Sequence, residues 1–247
     1  MSAANPFGIS HLPANMQIEQ DFHALAKSLG IEFKEIKLLT QALVHRSYLN
    51  EHRDFGLDHN ERLEFLGDAV LELIVTEHLY LNYPNPEGEL TNWRAALVNA
   101  NMLSDVAKEC GLEHYLHLSK GESKDLGKAR QYILANAIEA VIGAIYLDQG
   151  WEVSKQFVMK RLLSKLDYIL EHKLYLDPKS KFQEIAQERL GITPTYSVVS
   201  ETGPDHQKQF EVAAMLGSVT VAKGLGLSKQ EAQVQAAMAA LKAKGWE

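Results

Sequence analysis

The chain has 247 residues, 46% hydrophobic and 23% charged, which supplies apolar material for one or two folded domains and excludes wholesale disorder. No apolar run approaches the roughly 20 residues needed to cross a bilayer, and the first residues lack the basic-then-apolar pattern of a signal peptide, so the expected compartment is the cytoplasm. The single cysteine, Cys110, excludes an intramolecular disulfide and a Cys-based zinc site, while a net charge of −7 taken alone argues against a polyanionic partner.

That charge is unevenly placed. From Leu176 to Glu247 eight Lys/Arg balance eight Asp/Glu, so the acidic excess lies earlier in the chain, where bound metal ions would offset it. Along that acidic part the pattern is helical throughout. Ile18, Phe22, Leu25 and Leu29 recur at helical spacing, as do Ile36, Leu39 and Leu43. A long helix is predicted to start near Asp58–Asn60 and to run from Glu61 to about Leu81, ending before Pro84. Further helices are predicted from about Leu90 to Cys110, from Ala129 to Leu147 with Gly150 as stop, and from Trp151 to Leu170.

After His172 the texture changes. Leu174–Pro178 reads as a linker and Ser180–Leu190 as a short helix closed by Gly191. Three strand-like runs follow, Thr195–Ser200, Gln209–Met215 and Ser218–Val221, and Ser228 opens an Ala-rich helix. The expected fold class is therefore mainly α: an all-helical domain over 17–173, a linker over 174–178, and a small α-β-β-β-α domain over 179–247.

The run Asn60–Leu71, NERLEFLGDAVL, carries the densest chemistry. Glu61, Glu64 and Asp68 fall within about 60° of one another on a helix. Like charges at that spacing cost about 0.2–0.5 kcal/mol per pair, and a solvated acidic face is the plain reading of such a stripe. Here Phe65, Leu71 and Val75 project beside the acids, and Leu63, Leu66, Val70 and Ile74 cover the other side. A helix apolar nearly all round is expected to be buried, which would place its acids in an enclosed cleft. A second helix, Tyr132–Tyr146, has Asn136 and Glu139 as its only strongly polar side chains, three apart on one face. They could be a hydrogen-bonded core pair. If the two helices face each other, Glu64, Asp68, Asn136 and Glu139 offer oxygen-only ligation suited to Mg²⁺ or Mn²⁺. A di-iron carboxylate bundle would need Glu-x-x-His, and no histidine here has a Glu three residues before it. A glycosidase pair of carboxylates would need a sugar-stacking groove, for which no pattern is visible.

Asn60–Leu71 resembles the signature of the ribonuclease III family of double-stranded-RNA endonucleases. His45-Arg46-Ser47-Tyr48, Glu87-Gly88 and Ile133–Asp148, ILANAIEAVIGAIYLD, match further family blocks in the same order. The last 70 or so residues resemble a double-stranded-RNA-binding domain, and the likeness covers essentially the whole chain from Asp21, in the size and order of a bacterial member. By this resemblance Glu64, Asn136 and Glu139 are expected as ligands of Mg²⁺, with Mn²⁺ able to substitute. Asp68 and Glu139 are the expected catalytic residues, and Glu61 and Glu87 the accessory acids. By sequence alone Glu87, in Pro86-Glu87-Gly88-Glu89, reads as a loop acid. Where many members have Asp, this chain has Asn136, and the site carries one negative charge fewer.

The resemblance further implies a homodimer with one site per strand of an RNA duplex, products with 5′-phosphate and 3′-hydroxyl ends, and a place in ribosomal and messenger RNA processing. In the C-terminal domain Gln183, Glu184, His206, Ser228 and Lys229 are expected to touch RNA, whose A-form duplex is read by shape across its wide minor groove. Where members usually have a second basic residue, this chain has Gln230. The alternative function is a non-catalytic RNA-binding protein of the same fold. Such relatives are expected to lose the catalytic acids, whereas Glu64, Asp68 and Glu139 are present here.

Overall fold

The computed structural model describes residues 14–124, 127–204 and 208–246, with side chains from Asp21 onward. Two compact units divide the chain, one ending at His172 and the other beginning at Lys173. Among the described residues, no helix is long and apolar enough to cross a membrane.

The first unit is helical. It contains α1 (Ala14–Leu29), α2 (Ile36–Ala42), α3 (Arg46–Glu51), α4 (Glu61–Asn82), α5 (Glu87–Val98), α6 (Ala100–Glu109), α7 (Lys128–Gln149), α8 (Trp151–Arg161) and α9 (Leu166–Glu171). At its centre runs α7, where Leu134, Ala137, Ala140, Val141, Ala144 and Ile145 are fully buried. Gly150, at φ 80°, turns the chain from α7 into α8.

Three boundaries differ from the sequence expectation. The predicted helix from Leu90 to Cys110 is two helices broken at Asn99, which is extended. The Asn99 side chain accepts from the Met102 N–H at 3.0 Å and donates to the Ala96 carbonyl at 2.8 Å, so it closes α5 and caps α6. The predicted helix from Trp151 to Leu170 breaks at Leu162. A tightened turn over Leu163–Lys165 follows, and its three-residue spacing brings Leu163, Leu166 and Ile169 onto one buried side. Glu87 opens α5 directly after Pro86 rather than lying in a loop.

The start of α4 is tied down by backbone. Asn60, only 4% exposed, donates from its backbone N–H to the Val44 carbonyl at 2.9 Å and from its amide to the Ala42 carbonyl at 3.1 Å. His117 locks the same strip, donating to Leu43 and accepting from the His45 N–H. The rings of Phe22, Tyr48 and Phe55 pack round His117 with centroids 4.9–5.8 Å away. The far end of α7 is pinned by Asp148, whose carboxylate accepts from the Lys34 and Glu35 N–H groups, both at 2.8 Å.

The second unit comprises α10 (Pro178–Leu190), β1 (Thr195–Thr202), β2 (Gln209–Leu216), β3 (Val219–Gly226) and α11 (Lys229–Lys244). The sheet is antiparallel in the order β1-β2-β3. Its core joins Phe182 and Ala186 of α10, Val212, Ala214 and Leu216 of β2, and Ala232, Ala236, Ala237 and Ala240 of α11. Pro178 belongs to α10 and not to the linker: Asp177 caps that helix and Pro178 occupies its first turn, where a missing N–H costs nothing. The strand expected to stop at Val221 continues to Gly226. In that extension a Cβ on Gly224 or Gly226 would overlap the α11 backbone at Ala232 and Ala236. They are strand residues kept small so that an alanine-faced helix can lie close.

Candidate active site and nucleic-acid interface

The site is built where α4 crosses α7. A Cβ on Gly67 would collide with the Glu139 carbonyl, and one on Gly143 with the Leu63 carbonyl. Only glycine at both positions lets the helices approach with backbone nearly in contact. Glu64 and Asp68 flank Gly67 on α4, and Asn136 and Glu139 lie two turns and one turn before Gly143 on α7. The close crossing therefore presses two polar pairs together.

Their electrostatics record this. Burial, followed by the neighbouring Asp68, Glu64 and Glu72 carboxylates, pushes Glu139 up to about 8. Burial also raises Glu64, with Glu61 and Asp68 adding to the effect, while a hydrogen bond donated by the Asn136 amide opposes it. Glu72 was not singled out in the sequence. The signal was the i, i+4, i+8 series Glu64, Asp68, Glu72, which continues the stripe by one turn.

The expectation of an enclosed cleft is not met. Asp68 is exposed, Glu64 and Glu139 are half-buried, and α4 is not buried all round. Phe65 is 82% exposed and Tyr80 78%, with Leu73 between them also exposed, so among the described residues of this unit that face of α4 is left uncovered. Glu61 turns towards Arg46 at 3.4 Å and His59 at 3.7 Å. It lines a cavity of about 650 Å³ with Asp58, His59, Arg62, Phe65 and Leu66. Glu87 faces a separate cavity of about 460 Å³ with Thr76, Tyr80 and Arg94, apart from the α4–α7 crossing.

The donor set at the crossing suits a hard cation: carboxylate and amide oxygens, with like charges held close enough to oppose ionisation. Among the described residues, no three His, Cys, Asp or Glu side chains converge on one point as a ready-made cage. Mutual repulsion spreads unneutralised carboxylates, and Asn136 turns its N–H towards Glu64. Mg²⁺ commonly keeps several waters and needs only one or two protein carboxylates, so the residues fit it without such a cage.

In the second unit Gln183 and Glu184 are exposed on α10. The Ser228 hydroxyl accepts from the Glu231 N–H at 3.1 Å, and the Glu231 carboxylate accepts from the Leu227 N–H at 3.0 Å, a reciprocal cap that starts α11. Lys229 lies over the Phe210 ring and pairs with Glu201 at 2.9 Å. His206 lies outside the described residues.

Residues 35–166, more than half of the chain, match the family model described as ribonuclease-III-like, and residues 178–244 match the double-stranded RNA binding motif. The chain belongs to the ribonuclease III family. Ribonuclease 3 of Desulforamulus reducens is 44% identical over 89% of this chain and 89% of its own length. Ribonuclease 3 of Streptococcus gordonii is 43% identical over 84% and 90%. The solved nuclease domain of ribonuclease III from Campylobacter jejuni is 40% identical, covers 57% of this chain and 94% of its own, and superposes with a TM-score of 0.51.

The helical unit is thus the nuclease domain, and the α-β-β-β-α unit is the double-stranded-RNA-binding domain. This family member is an endoribonuclease acting on double-stranded RNA, which answers the alternative of a non-catalytic binding protein. Metal-dependent hydrolysis comes with membership.

Proposed function

We propose that this ribonuclease III cleaves both strands of duplex RNA as a homodimer, using Mg²⁺, with Mn²⁺ as substitute, held by Glu64, Glu139 and the Asn136 amide oxygen. The observation that carries the reading is the Gly67–Gly143 crossing, which sets Glu64 and Asp68 against Asn136 and Glu139 and raises Glu139 to about 8. A bound divalent ion would supply Lewis-acid stabilisation of the charge that develops on phosphate and leaving oxygen during in-line displacement.

The rest falls to this chain's own side chains. Glu139 and Glu64 would hold the ion through their carboxylate oxygens, and its positive charge would offset the burial and mutual repulsion that oppose their ionisation. Asn136 contributes oxygen without charge once its amide turns over. Asp68, exposed at the edge of the crossing, accepts a hydrogen bond from the attacking water and aligns it with the phosphorus. The water's oxygen bonds to phosphorus as one of its protons passes to solvent, the bond from phosphorus to the 3′ oxygen breaks, that oxygen takes up a proton from solvent, and the products carry 5′-phosphate and 3′-hydroxyl ends.

Glu61, held by Arg46 and His59, and Glu87, at its separate cavity, serve as accessory acids that shape the surface on either side. Dimerisation is supported by the exposed Phe65, Leu73 and Tyr80 on α4. It agrees with the Campylobacter jejuni nuclease domain, described as having a region involved in dimer formation. In the second domain Gln183, Glu184 and His206 meet the minor grooves, and Ser228 and Lys229 meet the phosphates between them, helped by the amino-terminal dipole of α11.

The test is a long perfect RNA duplex incubated with the full chain, with and without Mg²⁺, beside Glu139→Gln. The wild type should cut only with the ion, and Glu139→Gln should lose cleavage by a factor of a hundred or more while binding duplex as before. Wild-type cutting by Glu139→Gln would overturn the assignment.

A further inference from the structure

The lysine that α11 offers to phosphate is already occupied. Lys229 Nζ lies 2.9 Å from Glu201 Oε1, and both side chains are substantially exposed. The arrangement follows from the sheet. Glu201, near the end of β1, is the cross-strand partner of Phe210 on β2. The Lys229 ammonium lies over the Phe210 ring, 5.6 Å from its centroid, and reaches the neighbouring carboxylate. Glu201 thus stands beside the first residue of α11, part of the interface proposed above. A carboxylate at that point offers Lys229 the same chemistry as a phosphate oxygen: a negative oxygen at hydrogen-bond distance.

We propose that Glu201 is an internal competitor for the backbone phosphate that Lys229 would otherwise hold, and so sets the affinity of this domain for duplex RNA. The inference rests on the reading of Lys229 as a phosphate contact. Duplex binding then requires an exchange: the Lys229 ammonium leaves Glu201, a phosphate takes its place, and Glu201 is left with solvent and a counter-ion. An exposed ion pair is weak enough to be displaced, so the exchange lowers affinity without preventing binding. The domain has equal numbers of acidic and basic residues from Leu176 onward, so the loss is not covered by a surplus of lysines. Ser228 and Glu231 hold the start of α11 through their own reciprocal cap, so the Glu201–Lys229 pair is not needed for folding.

The test is duplex affinity of the full chain in Ca²⁺ or metal-free buffer at low salt, for Glu201→Gln, Lys229→Gln and the double variant. Glu211→Gln is the control, since Glu211 pairs with Lys223 on the sheet face away from α11 and changes charge equally. Glu201→Gln should bind about two- to fivefold tighter, the range an exposed pair can withhold. The gain should fade as salt rises, and all four variants should melt with the wild type. On the Lys229→Gln background, Glu201→Gln should change nothing. Equal tightening with and without Lys229, or the same gain in Glu211→Gln, would reduce the effect to net charge and overturn the competition. Weaker binding by Glu201→Gln would overturn it in the other direction, making Glu201 a residue that positions Lys229. Unchanged affinity of Lys229→Gln alone would instead remove the phosphate contact on which the inference rests.

Discussion

At residue 136 one atom decides how the site behaves without metal. The Asn136 amide donates to Glu64, a bond that aspartate could make only in its protonated form. Asn136→Asp would add a fourth like charge to Glu64, Asp68 and Glu139. Metal-free protein should melt lower, and Mg²⁺ should restore more stability than in wild type, because hard cations gain with ligand charge. Calorimetry across a Mg²⁺ series checks it, and superimposed curves would remove residue 136 from the ligand set. Glu139 adds a pH dependence of its own. Its folded-state pKa, about 8, lies above the ordinary 4.5, so its contribution to stability is complete below about pH 4.5 and lost as pH rises through 8. In metal-free buffer Glu139→Gln should flatten that decline and melt higher than wild type at pH 8.

At the scale of elements, the close crossing of α4 and α7 and the anchoring of α4 make separate predictions. Gly67→Ala would force backbone apart at Glu139. It should cost about 1–3 kcal/mol in urea unfolding, as overpacking does, and should reduce cleavage beyond what the stability loss explains. The strip that holds Asn60 depends on His117, whose pKa burial depresses, with the Tyr115 carbonyl pulling the other way. Protonation therefore opposes folding there. The His117 contribution is present above about pH 6.5 and lost as pH falls below it, the opposite sign to Glu139. With the Glu139 contribution removed by Glu139→Gln, melting temperature should drop between pH 7 and pH 5, and adding His117→Gln should give a shallower drop from a lower starting point.

At the scale of the whole molecule, the exposed face of α4 is more apolar than a solitary surface helix sustains. Phe65 at its amino-terminal end is the natural anchor. Sedimentation of the full chain should give a dimer at micromolar concentration, and Phe65→Ala should weaken association by about thirtyfold or more, as loss of a central aromatic does. A wild-type monomer at that concentration would contradict the one-site-per-strand arrangement. The second domain has a core of its own around Phe182 and the α11 alanines, so Phe65→Ala should leave its folding untouched.

Much of this was legible in the chain itself. Helical spacing located α4 and α7, since long periodic runs between Pro84, Gly150 and Asp58–Asn60 leave little choice, and the two polar stripes named Glu64, Asp68, Asn136 and Glu139. Alternation and turn residues located β1 and β2. What depended on contacts between distant residues was not legible. Asn99 looks like any helix residue until its side chain is seen bonding both ways along the backbone. Gly224 and Gly226 lie beyond the strand that alternation marks until α11 is seen against them, and Gly67 and Gly143 are two glycines 76 positions apart until the helices meet at both. The pairing of Lys229 with Glu201 belongs to the same class. Residue type and spacing determine which groups a helix or strand can present. Which of them meet, and how far proximity shifts their charge, is decided only where two backbones come close enough for burial and Coulomb repulsion to act.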